Sequence, residues 1–219
     1  SAASDVYKRQ DEGWATTLEY LIGIDENGEA AAKEFYKNFR VKKWINDPSA
    51  EQDQPIITMS TQVSGSGYGN NSYVKSSLSY LALKDYLGDE LFKKALHHYM
   101  DNWNGKHPVP WDYFNSMNTG SEKNLNWFFH NWFYTNNYID LKVAGASQMN
   151  DLLTVNVANV GGFAIPFDAI LTYEDGSTEK LHFSPSVWEK DQKLTDLVIP
   201  IKKKVKSVSL DGDLFMDYT

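Results

Sequence analysis

Two glutamates near the beginning of the chain have the spacing of residues that share one face of a helix. Glu12 and Glu19 are seven residues apart, which is two helical turns, and apolar residues stand around them. Carboxylates in such a position can bind a metal ion or act as general bases. Glutamate is also common on solvated helix faces and in first turns, so the spacing alone favours a solvated role for Glu12.

A tyrosine further along the chain has a side chain that could also do chemistry. Tyr73 follows a stretch rich in glycine, serine and asparagine, STQVSGSGYGNNS at 60–72. This composition predicts a loop, so Tyr73 should stand at the start of the next helix. A phenol there can donate a hydrogen bond into a cleft and stays protonated at neutral pH. Because the chain has thirteen tyrosines, a packing role is the simpler interpretation of Tyr73 taken alone.

The elements that must position these residues change type near Tyr138. Before it the apolar residues have a helical period, and helices are expected over 30–39 and 74–87 and from caps at Asp89 and Ser121. After it the apolar residues alternate, which predicts about six short antiparallel strands. The expected fold class is α+β: a mostly helical domain over 11–138, followed by a small antiparallel Ig-like β-sandwich over 139–219.

The composition excludes several classes of protein and site. A net charge of −8 argues against a nucleic-acid partner, and the absence of cysteine excludes disulfides and thiolate metal sites. The basic run of lysines at 202–204 and Lys206 alternates into Val205 and Val208, which predicts a solvated strand face rather than a targeting signal. No run approaches the roughly 20 apolar residues of a transmembrane segment. No feature of the sequence specifies an oligomeric state.

Four segments, taken in order, resemble the aminopeptidase N (membrane alanyl aminopeptidase) family of gluzincin-type zinc peptidases. They are DEGWATTLE at 11–19, YVKSSL at 73–78, LGDELF at 87–92 and WFFHNWFY at 127–134. The family patterns are N-E-G-F-A-x-x-x-E, Y-x-K-G/P-A-x-L, L-G-D-E-x-F and F-F-x-Q-W-x-Y. Two later segments, IPF at 165–167 and YEDGS at 173–177, resemble strands of the family's sandwich. The ordered set is more specific than any one segment.

The resemblance implies an activity and three residue roles. Glu12 is similar to the third zinc ligand, Glu19 to a second acid that supports the metal's ligands, and Tyr73 to the catalytic tyrosine. The implied protein is a Zn²⁺-dependent aminopeptidase that removes N-terminal residues from peptide substrates, and the helical part would belong to its thermolysin-like catalytic domain. In such a site zinc activates a water, and a neutral phenol stabilises the oxyanion. The sequence does not specify the location, because the amino terminus of the parent is expected to be missing; a periplasmic or cell-envelope location is favoured over a cytoplasmic one.

The sequence departs from the family by what it lacks. The family's other two zinc ligands and its general base lie in an H-E-x-x-H segment about twenty residues before the ligand glutamate. Eleven residues precede Glu12 and none is histidine, and the five histidines of the chain nowhere form H-x-x-x-H. The amine-binding G-x-M-E-N segment is also absent. We therefore expect a C-terminal fragment that is inactive and binds zinc weakly or not at all.

The first ten residues, SAASDVYKRQ, resemble a translated sequencing-library adapter. Residues 1–10 are therefore predicted to be a non-native scar, with native sequence from about Asp11. The main alternative function is non-catalytic: a family relative without H-E-x-x-H that binds peptides or glycans or acts as a scaffold. Upstream coding DNA with an intact H-E-x-x-H favours the peptidase, and a degenerate one favours the binding module. An unrelated helical domain fused to a carbohydrate-binding sandwich is a third interpretation.

Overall fold

The computed structural model describes residues 2–46, 53–63 and 65–217; for residues 2–9 and Ser60 it describes the backbone only. The chain divides into two compact units, residues 1–136 and 137–219. The division falls two residues before the boundary expected from the sequence. The first unit is helical and the second consists mainly of antiparallel strands, which confirms the α+β class.

The helical unit contains eight α-helices and two π-helical turns among the described residues. The helices are α1 (Ala2–Asn27), α2 (Glu29–Tyr36), α3 (Lys42–Ile45), α4 (Gly67–Gly69), α5 (Ser76–Leu87), α6 (Asp89–Trp103), α7 (Pro110–Ser121) and α8 (Asn126–Phe133). The first π-helical turn is Lys37–Val41, between α2 and α3, and the second is Asn70–Lys75, between α4 and α5. Within the described part of the chain, no helix is long and apolar enough to cross a membrane.

The amino-terminal helix includes most of residues 1–10, the segment predicted to be an adapter scar. Helix α1 runs without a break from Ala2 to Asn27, and Gln10 is buried. Ser1 lies outside the described residues. The adapter origin of residues 1–10 stays a prediction, because a helical conformation of the segment does not depend on where the codons came from.

The prediction of a loop over 60–72 is wrong for most of the stretch. Ser60–Gln62 form a 3₁₀ turn, and a continuous helical segment begins at Gly67 and runs through the second π-helical turn into α5; Ser64 lies outside the described residues. Asn71 and Ser72 are almost completely buried in this segment. Packing against α1 therefore overrides the low helix propensity of glycine, serine and asparagine.

Two expected helix starts also differ from the structure. Ser121 is the last residue of α7 rather than a cap, and the next helix begins only at Asn126. Glu122, with a left-handed φ of 56°, ends α7 and turns the chain. Asp89 is the first residue of α6 rather than its cap, because Gly88, with a φ of 74°, breaks the helix before it.

The core of the helical unit is built around one fully buried aromatic ring. Tyr113 of α7 contacts aromatic rings from five other positions on four helices, which are Trp14, Tyr80, Tyr99, Phe129 and Phe133. Most of these contacts are edge-to-face, a favoured geometry for aromatic pairs. The α1 segment therefore takes part in the same core as α5 to α8.

A buried ion pair secures the start of α5. The Lys75 side chain is fully buried, and its Nζ lies 3.1 Å from Asp53 Oδ2 and 2.7 Å from the Gln54 carbonyl oxygen. Burial holds the pKa of Lys75 below the ordinary lysine value, and the Asp53 carboxylate opposes that shift. The pair ties residues 53 and 54 to the helical segment that carries Tyr73.

The second unit contains six strands in two three-stranded antiparallel sheets. The strands are β1 (Leu141–Met149), β2 (Leu152–Asn159), β3 (Phe167–Tyr173), β4 (Thr178–Phe183), β5 (Leu194–Pro200) and β6 (Val205–Asp211). The sheet orders are β1-β2-β5 and β4-β3-β6. Alternate residues of β2 and β5 are buried, as the sequence alternation predicts.

Candidate active site

Helix α1 lies very close to α5, and a glycine makes this approach sterically allowed. A Cβ added to Gly13 would lie 2.6 Å from Ser76 Cβ and 3.0 Å from the Tyr80 ring. Next to it, the Trp14 ring stacks on the Tyr80 ring with 4.1 Å between centroids. The EGW sequence thus holds Glu12 against the neighbouring helical segment.

Hydroxyl groups reinforce the same contact. Thr17 Oγ1 lies 3.0 Å from Ser77 Oγ, and the Tyr36 hydroxyl donates to that same oxygen over 2.8 Å. Ser76, which stands where the family pattern has glycine or proline, donates to the Asn71 carbonyl oxygen over 2.6 Å. These buried hydrogen bonds define the position of α1 relative to the second π-helical turn.

Glu12 and Tyr73 meet in space although they are 61 residues apart in the sequence. The two side chains are close enough for the Glu12 carboxylate to act electrostatically on the Tyr73 hydroxyl, and both side chains are partly buried. Burial raises the pKa of Tyr73, and the neighbouring Glu12 carboxylate raises it further. Tyr73 is therefore a neutral donor throughout the neutral pH range.

Glu19 is tied to the same cluster through a residue that the sequence analysis missed. Arg40 donates to Glu19 Oε2 over 2.7 Å from Nη2 and 3.2 Å from Nε. Its guanidinium also lies over the Tyr73 ring, 5.9 Å from the centroid. Glu12, Tyr73, Arg40 and Glu19 thus form one connected set, the site cluster.

Both π-helical turns deliver a member of the site cluster. Arg40 lies on the first turn and Tyr73 on the second. One extra residue in a helical turn rotates the side chains that follow it, and such turns occur frequently at functional sites. No sequence motif identified Arg40, because its role depends on a contact with Tyr73, which is 33 positions away.

The described residues do not form a complete metal site. Glu12 is a partly buried carboxylate, and none of the described side chains forms an ion pair with it, whereas Glu19 is paired with Arg40. A zinc ion needs at least three protein ligands, and no group of three histidine, cysteine or acidic side chains is found among the described residues. These residues therefore do not fit zinc by themselves.

The comparisons with known proteins give the chain its family. The Peptidase family M1 domain matches residues 10–132, which is more than half of the chain. The chain belongs to peptidase family M1. The matched range contains Glu12, Glu19, Arg40 and Tyr73, so the whole site cluster lies inside the M1 domain. A search of curated proteins found no match.

A solved structure shares the fold of this M1 chain. The crystal structure of Legionella pneumophila aminopeptidase A in complex with aspartic acid matches with a TM-score of 0.63 and 18% sequence identity. The match covers 93% of this chain and 23% of the Legionella chain. The structural match therefore includes residues of both the helical unit and the β-rich unit of this M1 chain.

Proposed function

We propose that this M1 chain is part of a zinc-dependent metalloaminopeptidase of the aminopeptidase N type, which hydrolyses N-terminal residues from peptides. The observation that carries the proposal is the contact between Glu12 and Tyr73. Two residues that the family pattern assigns to metal binding and to catalysis lie close enough to interact electrostatically. Their side chains come from separate elements, so the fold has to build this contact.

Glu12 is proposed to be one of three protein ligands of the zinc ion. Its carboxylate is partly buried, lies near the neutral hydroxyl of Tyr73, and forms no ion pair with a cation among the described side chains. A bound metal cation would neutralise the negative charge of the Glu12 carboxylate. The two remaining ligands are proposed to be histidines outside these 219 residues.

Tyr73 is proposed to stabilise the oxyanion that develops when the peptide carbonyl is attacked. Its raised pKa keeps the hydroxyl protonated, and the partial burial of the ring strengthens any hydrogen bond that it donates. Bound zinc would supply the activated water. The Arg40 guanidinium, which is paired with Glu19, lies over the Tyr73 ring and helps to position it.

The proposal is tested by comparing two polypeptides in the same assay. The full-length protein that contains this chain is expected to hydrolyse aminoacyl-anilides, to lose that activity on chelation, and to regain it when zinc is added. The 219-residue chain alone is expected to be inactive under every condition. Zinc-loaded full-length protein without peptidase activity would favour a non-catalytic binding module, and full activity of the isolated chain would refute the missing-ligand hypothesis.

A further inference from the structure

A cleft with positive charge opens beside the site cluster in a protein that is acidic as a whole. It has a volume of about 670 Å³, and Tyr73 and Arg40 form part of its wall. Lys42 and Lys43 also line it, and none of its described lining residues is acidic. The chain as a whole has a net charge of −8, so this concentration of cations is local.

The two lysines, rather than Arg40, carry the charge that is not compensated. Arg40 is paired with Glu19. Lys42 Nζ donates to Asn38 Oδ1 over 2.6 Å, and Lys43 Nζ lies 5.8 Å from the centroid of the Phe39 ring. Neither lysine forms an ion pair with a described carboxylate, so both ammonium groups can attract an anion in the cleft.

The rest of the cleft is suited to a short polar chain. Asn38 and Asn70 are among its lining residues, and Phe39, about half exposed, supplies an apolar surface. Amides can donate to and accept from a peptide backbone. A concave surface lined by one sign of charge raises the local concentration of oppositely charged ligands.

We propose that the cleft is a subsite for a carboxylate of the peptide substrate, which Lys42 and Lys43 bind while the scissile bond lies at Tyr73. This rests on the proposed peptidase function. An unmodified peptide offers a carboxylate from two sources, an aspartate or glutamate side chain and the carboxyl terminus. The shared chemistry is that of a carboxylate held by two ammonium groups.

The test uses zinc-loaded full-length protein and four peptides with the same N-terminal residue. Ala-Ala-Ala is compared with its C-terminal amide, and Ala-Asp-Ala amide with Ala-Asn-Ala amide. In at least one pair, the peptide with the carboxylate is expected to have a kcat/KM roughly 3- to 10-fold higher than its neutral counterpart. This is the effect expected from one partly desolvated ion pair. The advantage should shrink as the salt concentration rises. The pair that shows it identifies the source of the carboxylate.

A double variant and a matched control locate the effect. Lys42→Met/Lys43→Met is expected to reduce the ratio within that pair to about one. Lys106→Met/Lys123→Met removes the same charge from exposed lysines with similar surroundings and should leave the ratio unchanged. Lys106 Nζ donates to the Asn102 carbonyl oxygen four residues earlier, and Lys123 Nζ lies 5.7 Å from the Tyr86 ring centroid.

Binding provides a second readout that does not need turnover. Dissociation constants of the same four peptides are measured by calorimetry on the full-length Tyr73→Phe variant, where the same preference is expected. Cleavage without any preference for a carboxylate would overturn the subsite and leave the peptidase function standing. Absence of cleavage by the zinc-loaded protein would overturn the peptidase function, and the ratio of dissociation constants would then decide the subsite alone.

Discussion

Replacement of Tyr73 by phenylalanine in the full-length protein is expected to lower kcat by about 100- to 1000-fold, the usual effect of removing one oxyanion donor. KM should change little, because the hydrogen bond to the oxyanion forms only in the transition state. The ring of phenylalanine keeps the contact with the Arg40 guanidinium, which lies over the Tyr73 ring. The loss therefore isolates the hydroxyl, and steady-state kinetics with an aminoacyl-anilide measure it.

The control for this variant is a neighbouring phenol. Tyr68 lies one turn earlier, in α4, and is also partly exposed. Tyr68→Phe is expected to retain kcat within a few-fold, because no role in the chemistry is assigned to it. An unchanged kcat in Tyr73→Phe, or an equal loss in both variants, would contradict the assignment of Tyr73.

Replacement of Lys75 by methionine is expected to reduce the free energy of unfolding by about 3 to 5 kcal/mol, the usual cost of removing one partner of a buried ion pair. The Lys75 side chain is fully buried and that of Asp53 is only 11% exposed. The substitution leaves the Asp53 carboxylate and the Gln54 carbonyl without their donor. Urea unfolding followed by tryptophan fluorescence measures the change, because six of the seven tryptophans lie in the helical unit.

Lys84→Met is the matched control, because Lys84 lies on the same helix and pairs with Asp89 at the surface. Lys84→Met should reduce the free energy of unfolding by less than about 1 kcal/mol.

The stability contributed by Lys75 should depend on pH, because burial lowers its pKa in the folded protein. Between that lowered pKa and the ordinary lysine value, Lys75 carries a proton in the unfolded chain but not in the folded one. Lys75 therefore stabilises the fold increasingly as pH rises through this window, and the difference between wild type and Lys75→Met should grow. Equal losses in both variants would contradict the buried pair.

The helical and β-rich parts could be predicted because both depend on local periodicity. The seven-residue spacing of Glu12 and Glu19 and the alternation of buried residues in β2 follow from patterns that can be counted in the sequence. The stretch 60–72 could not be predicted in this way. Its glycines and serines disfavour a helix locally, whereas their burial against α1, where Gly13 permits a close approach, makes the helix stable.

The site was predictable only in part for the same reason. The family resemblance proposed roles for Glu12, Glu19 and Tyr73, but it did not show that Glu19 pairs with Arg40. That pair joins residues of two different helical elements, and two π-helical turns set the directions of Arg40 and Tyr73. Insertions of this kind have no sequence signature of their own, since they result from tertiary packing.

The measurement that tests the proposed site most directly is the zinc content of the purified full-length protein and of its Glu12→Ala variant. Wild type is expected to hold one zinc ion per catalytic domain, and Glu12→Ala to lose most of the metal and the peptidase activity with it. Glu26→Ala, seven residues beyond Glu19 on an exposed position of α1, is the matched control and should keep both. A Glu12→Ala variant with unchanged zinc content and activity would contradict the role of Glu12 as a ligand.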